Sequence, residues 1–74
     1  MKIRIKLFAT LRVGRFEERI ERFATGTTVA EVIAWLRIPD REVKITFVNN
    51  RHAGREKPLQ DGDTLALFPP IGGG

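Results

Sequence analysis

Apolar and polar residues alternate from Lys2 to Leu7, with Ile3, Ile5 and Leu7 on one side and Lys2, Arg4 and Lys6 on the other. A period of two marks a strand with one buried face. Phe8 breaks the polar side with an aromatic ring, which makes it a cover for the strand end or a contact site. Gly14 predicts a turn. Two periods compete over residues 16–24. Phe16, Ile20 and Phe23 recur at helical spacing, and the charges between them suit a helix surface. The short distance to the next helix start suits the second arm of a hairpin instead, so a strand is favoured, with or without a bulge.

Thr25-Gly26-Thr27 reads as a turn and Thr28 as a helix N-cap, with Glu31 three residues later completing a capping box. Val29, Val32, Ile33 and Leu36 follow as one apolar helix face. Pro39 is expected to end that helix, because the residue before a proline is steered away from helical geometry. Val43, Ile45 and Phe47 then alternate with Lys44, Thr46 and Val48, predicting a strand with Val43, Ile45 and Phe47 on the apolar face. Asn49-Asn50 is a turn signal, since asparagine tolerates left-handed backbone. Residues 51–53 make at most a very short strand. Asp61-Gly62-Asp63 is another turn, and Thr64 to Phe68 a last strand with Leu65 and Leu67 on one side. Pro69 and Pro70 stop the pairing.

This order of strand, strand, helix, strand, short strand and strand predicts an α+β roll. A mixed sheet of four to five strands carries one main helix packed on one face. Residues 1–70 make one domain, and residues 71–74 are expected to be a flexible glycine tail.

The chain has 74 residues and a net charge of +4. A domain of this size buries only about 60% of the surface its unfolded chain exposes, which leaves little room for a deep active-site cavity. Cysteine, serine and tyrosine are all absent. The usual nucleophile–histidine arrangements are therefore excluded, as are disulfides and thiolate metal sites. His52, the single histidine, reads as a surface residue beside a turn. Asp61 and Asp63 flank a turn glycine, and their side chains are expected to bond the turn backbone rather than a metal. Gly26-Thr27-Thr28 lacks the lysine of a phosphate loop. The basic residues are interleaved with acids, as in Arg15 to Arg22, which favours an acidic protein partner over nucleic acid. No apolar run is long enough for a signal peptide or a membrane span, so a cytoplasmic protein is expected.

The tail carries the remaining chemistry. Glycine has no Cβ, so Gly72, Gly73 and Gly74 can enter a channel too narrow for other residues. The residues past Pro70 reach about 13 Å at ~3.3 Å per residue, enough to place the Gly74 carboxylate inside another protein's active site. Pro69 and Pro70 stiffen the base of this arm. The chain needs no catalytic side chains of its own. The bland alternative is a frayed end.

The sequence resembles the ubiquitin-like β-grasp sulfur carriers over nearly its whole length. The most specific stretch is Asp61-Gly62-Asp63-Thr64-Leu65-Ala66-Leu67-Phe68-Pro69-Pro70-Ile71 followed by terminal glycines. Leu7-Phe8-Ala9-Thr10-Leu11-Arg12 and the Pro-Pro pair look like the small subunit of molybdopterin synthase. The triple glycine is more usual in thiamin-type carriers. The resemblance implies that an E1-like enzyme uses ATP to adenylate the Gly74 carboxylate, and that a sulfur donor protein then converts it to a thiocarboxylate. It implies that the tail inserts into the large subunit of molybdopterin synthase, or another sulfur-accepting enzyme, and that the chain binds no cofactor or metal itself. The alternatives are a carrier for thiamin, tRNA thiolation or cysteine synthesis, a ubiquitin-like protein modifier, or a plain interaction domain. Phe8, Val48 and Phe68 interrupt polar faces and are candidates for partner docking or for packing. Pro69, Pro70 and Arg12 complete the candidate docking set, with Arg12 either paired to an acidic partner or solvated.

Overall fold

The computed structural model describes residues 1–70. The expectations for Gly72, Gly73 and Gly74 lie outside the described residues. The elements run β1 (Lys2–Leu7), β2 (Glu18–Arg22), α1 (Val29–Trp35), β3 (Ile45–Val48), β4 (Arg51–His52) and β5 (Thr64–Phe68). The sheet order is β2-β1-β5-β3-β4. β1 and β5 are parallel and the other neighbours antiparallel. The mixed sheet with one main helix is the predicted α+β roll, and its last strand occupies the centre.

The competition over residues 16–24 resolves as the hairpin strand. β2 pairs with β1 in unbroken register from Lys2↔Arg22 to Lys6↔Glu18, so the paired stretch holds no bulge. β1 buries Ile3, Ile5 and Leu7 completely, and β5 does the same with Leu65 and Leu67. Val29, Val32 and Ile33 of α1 close this core from one side. A short 3-10 turn at Ala9–Arg12, which the sequence pattern does not signal, drops Leu11 into the same core.

The helix starts as expected. Thr28 accepts from the Glu31 N–H, and Glu31 returns a bond to the Thr28 N–H at 2.9 Å. Its end is different. α1 stops at Trp35, well before Pro39, because Arg37 adopts a left-handed backbone with φ of +59°. The Ile38 N–H then bonds the Ile33 carbonyl at 3.2 Å and the Arg37 N–H bonds Ala34 at 2.9 Å. These are the paired bonds of a Schellman closure, with buried Ile38 packing where such motifs place an apolar residue.

β3 also departs from the expected face. Thr46 and Val48 point into the core, while Ile45 and Phe47 are half-buried on the opposite face. Pairing with β5 sets this: Thr46 lies opposite Leu67 and Val48 opposite Leu65, the two inward residues of the central strand. Val43 is buried too, but from a separate 3-10 turn at Asp40–Glu42 that shifts the phase before β3 begins. The Thr46 hydroxyl is satisfied by donating to the Ala53 carbonyl. Asn49 and Asn50 both have positive φ, 52° and 67°, as a two-residue I′ hairpin requires.

Candidate functional site

β5 runs through the middle of the sheet and ends at Phe68, immediately before Pro69 and Pro70. Its parallel neighbour β1 ends beside it, so Phe8 and Phe68 emerge together. Their rings stack at 4.3 Å with planes 9° apart. Two backbone bonds fix this end: Phe8 N–H to the Leu67 carbonyl at 3.2 Å and Lys44 N–H to the Phe68 carbonyl at 2.8 Å. Phe47 adds an edge contact to Phe68 at 5.6 Å, and His52 packs on Phe47 at 4.7 Å. The result is an aromatic cluster on the sheet face opposite the helix. Its three phenylalanines line a shallow hollow of about 210 Å³ together with Lys6, Asn50, Thr64 and Ala66.

Arg12 is held beside this cluster. Its Nε donates to the Leu7 carbonyl at 2.7 Å, and its guanidinium lies 5.4 Å from the centre of the Phe8 ring. One end also approaches Glu17 at 3.6 Å. Lys2, Arg4 and Lys6 continue the same face along β1, with Glu18 paired to Arg4. The face is therefore aromatic at the chain exit and basic along its flank. A complementary partner presents apolar groups ringed by carboxylates.

The structure gathers Phe8, Phe68, Pro69 and Arg12 at one end of the sheet. Pro69 is half-buried and Pro70 exposed. Val48 does not join them: at 7% exposure it is a core residue. Phe47 takes the outward position in its place. The sequence reading missed Phe47 because both sets of β3 positions contain apolar residues, so alternation alone does not choose a face. The aromatic partner on each neighbouring strand, His52 and Phe68, was the available signal.

Asp61 and Asp63 are used by the turn. Asp61 accepts from the Lys2 N–H at 2.7 Å, while Asp63 accepts from the Gln60 N–H and the Asn49 side chain, both at 2.8 Å. A larger hollow of about 820 Å³, lined by Arg51, Glu56, Lys57 and Asp63 among others, lies at the opposite end of β5 from the chain exit. No helix among the described residues is long and apolar enough to cross a membrane.

The ThiS family model matches residues 5–74, nearly the entire chain. The chain belongs to the ThiS family. Its class is that of the ubiquitin-like sulfur carriers with a β-grasp fold. The HVO 2177 protein of Haloferax volcanii is 31% identical, with a TM-score of 0.80 over 100% of this chain and 87% of that one. Small archaeal modifier protein 1 of H. volcanii shares the fold at 23% identity and a TM-score of 0.77, covering 95% and 98% of the two chains. Subunit 1 or 2 of the molybdopterin-converting factor of Helicobacter pylori 26695, solved as a complex of the two subunits, shares it at 22% identity and a TM-score of 0.69 over 100% of both chains. No curated protein matches this ThiS-family sequence.

Proposed function

We propose that this ThiS-family chain is a sulfur carrier for molybdopterin synthesis, with Gly74 as its reactive end. The observation that carries this reading is the Phe8–Phe68 stack. It joins two stretches far apart in the sequence, Leu7-Phe8-Ala9-Thr10-Leu11-Arg12 and Phe68-Pro69-Pro70, into one surface at the point where the chain leaves the sheet. A partner seated on that surface is positioned to receive the tail. The order β2-β1-β5-β3-β4 supports the same reading, since the arm springs from the best-anchored strand.

In this mechanism the domain supplies address and reach, and the partners supply catalysis. An E1-like enzyme directs the Gly74 carboxylate at the α-phosphate of ATP, forming an acyl adenylate and releasing pyrophosphate. A carboxylate oxygen leaves poorly, whereas AMP leaves readily. The outer sulfur of a donor-protein persulfide attacks the carbonyl carbon and AMP departs with the bridging oxygen. A second thiol then attacks the donor's cysteine sulfur in the resulting acyl disulfide, forming a disulfide and releasing the chain as a thiocarboxylate. The Gly72 to Gly74 arm then enters the large subunit of a molybdopterin synthase and delivers that sulfur. ATP is consumed by the activating enzyme and is not held by this chain.

Intact-mass measurement after incubation with the activating enzyme, ATP and a sulfur donor tests the proposal. The expected result is a gain equal to exchanging one oxygen for sulfur, confined to the C-terminal peptide. An unchanged free chain alongside adducts joined through Gly74 to lysines of other proteins would instead support a protein modifier. Sulfur loading with transfer only to a thiazole, tRNA or cysteine pathway enzyme would keep the carrier and remove the molybdopterin assignment.

A further inference from the structure

β2 closes one side of the sheet, and its outer edge pairs with nothing among the described residues. The ladder with β1 determines which backbone groups face outward. Met1 and Phe23 exchange bonds at 2.8 and 2.9 Å, and the Leu7 N–H donates to the Glu17 carbonyl at 3.0 Å. Odd-numbered residues of this segment therefore turn their N–H and C=O toward β1, and Glu18, Ile20 and Arg22 turn theirs away from it. An open edge of this kind is a template for another strand unless proline, a bulge or an unfavourable charge blocks it. β2 has no proline and no break in register. It carries Glu18-Arg19-Ile20-Glu21-Arg22, a charge pattern that complements itself when read in the opposite direction.

We propose that two copies of the chain associate through β2, antiparallel about a two-fold axis at Ile20. Glu18 then faces Arg22 of the second copy, Arg19 faces Glu21, and Ile20 faces Ile20. The even-numbered pairs fall at hydrogen-bonded positions, each exchanging two backbone bonds with groups that β1 leaves unused. The Arg19–Glu21 pairs fall at the alternate positions, where side chains approach more closely. Ile20, 52% exposed in the single chain, covers its counterpart.

Charge selects this register against its neighbours. Moving to the next in-phase register on one side sets Arg19 against Arg19, and on the other side Glu21 against Glu21. An out-of-phase register opposes outward backbone groups to ones already bonded to β1. The favoured pairing is isologous, so it closes at two copies rather than growing into a fibre. β1 separates this edge from Phe68, so the pairing leaves both aromatic surfaces uncovered.

Sedimentation equilibrium of the full 74-residue chain at low salt tests the pairing. Wild type, Glu18→Arg, Arg22→Glu and an equimolar mixture of the two variants are compared, with the fold of each checked by NMR. Wild type is expected to show a concentration-dependent monomer–dimer equilibrium. Each variant alone places like charges together twice and is expected to associate about tenfold more weakly. The mixture is expected to recover wild-type association, because each introduced charge then meets its opposite. Should Glu18→Arg lose its fold along with its Arg4 partner, Arg19→Glu mixed with Glu21→Arg puts the same question to the neighbouring positions. A wild-type chain that stays monomeric at millimolar concentration, single variants that dimerise like wild type, or a mixture that recovers nothing would each overturn the proposal.

Discussion

Arg37 holds its backbone at φ +59°, a region where a Cβ costs about 1–2 kcal/mol. The Schellman bonds of Arg37 and Ile38 keep it there, since releasing them would leave the last helix carbonyls without partners and pull Ile38 from the core. Glycine suits that position better. Arg37→Gly is therefore expected to raise the unfolding free energy by about 0.5–1 kcal/mol, once the greater freedom of glycine in the unfolded chain is subtracted. Urea denaturation at constant m-value measures it. Asp63 is the opposite case. At 8% exposure it accepts from both the Gln60 N–H and the Asn49 amide, and Asn49 in turn accepts from the Thr64 N–H at 2.9 Å. Asp63→Ala removes two acceptors and leaves donors buried or misdirected. A loss of about 1–3 kcal/mol is expected, seen as a lower urea midpoint and faster amide exchange at Gln60.

At the scale of the element, α1 has only seven residues, too few to be helical in isolation, so its ends and its packing face decide whether it forms. Thr28→Ala dissolves the capping box and is expected to cost about 0.5–2 kcal/mol, measured by thermal unfolding followed at the helix band of circular dichroism. The box was legible because its two side chains satisfy each other locally, three residues apart. The far end was not, because the sequence offers Pro39 as the visible stop and no glycine at Arg37. β1 was legible for a related reason: one set of its positions is uniformly apolar and the other uniformly basic. β3 was not, since Ile45, Phe47 and Val48 give both faces apolar members, and only its pairing with Leu65 and Leu67 selects between them. The same pairing moved Val48 out of the candidate site and Phe47 into it. Residues 16–24 required position in the chain to outweigh a helical spacing, and the hairpin with β1 is what enforces the extended form.

Across the whole molecule, the aromatic exit and the basic flank of β1 make separable predictions. Phe8→Ala removes the stack on Phe68 and the surface beneath Arg12. It is expected to weaken binding of the proposed activating enzyme or synthase large subunit by about 1–2 kcal/mol, roughly five- to thirtyfold in Kd, as loss of a central aromatic anchor does. The free chain should lose only about 0.5–1.5 kcal/mol of stability. Calorimetric titration beside thermal unfolding distinguishes the two effects. Raising salt is expected to slow association with an acidic partner more than dissociation, because Lys2, Arg4 and Lys6 steer the encounter rather than anchor the complex. Stopped-flow measurement over a salt series checks it.

The central place of β5 has a consequence for how the chain is made. Of the six elements, β5 leaves the ribosome last, yet β1 and β3 each pair with it and not with each other. During synthesis the first hairpin, the helix and the β3–β4 hairpin therefore exist as pieces with no shared sheet, and long-range strand pairing of this kind is slow to form. Folding is deferred until Thr64 to Phe68 clears the exit tunnel. Nascent chains broken off before Thr64 lack the strand that unites the rest, and are left exposed to proteases. Folding thus acts as proofreading: a chain becomes durable only once synthesis has reached the base of the arm.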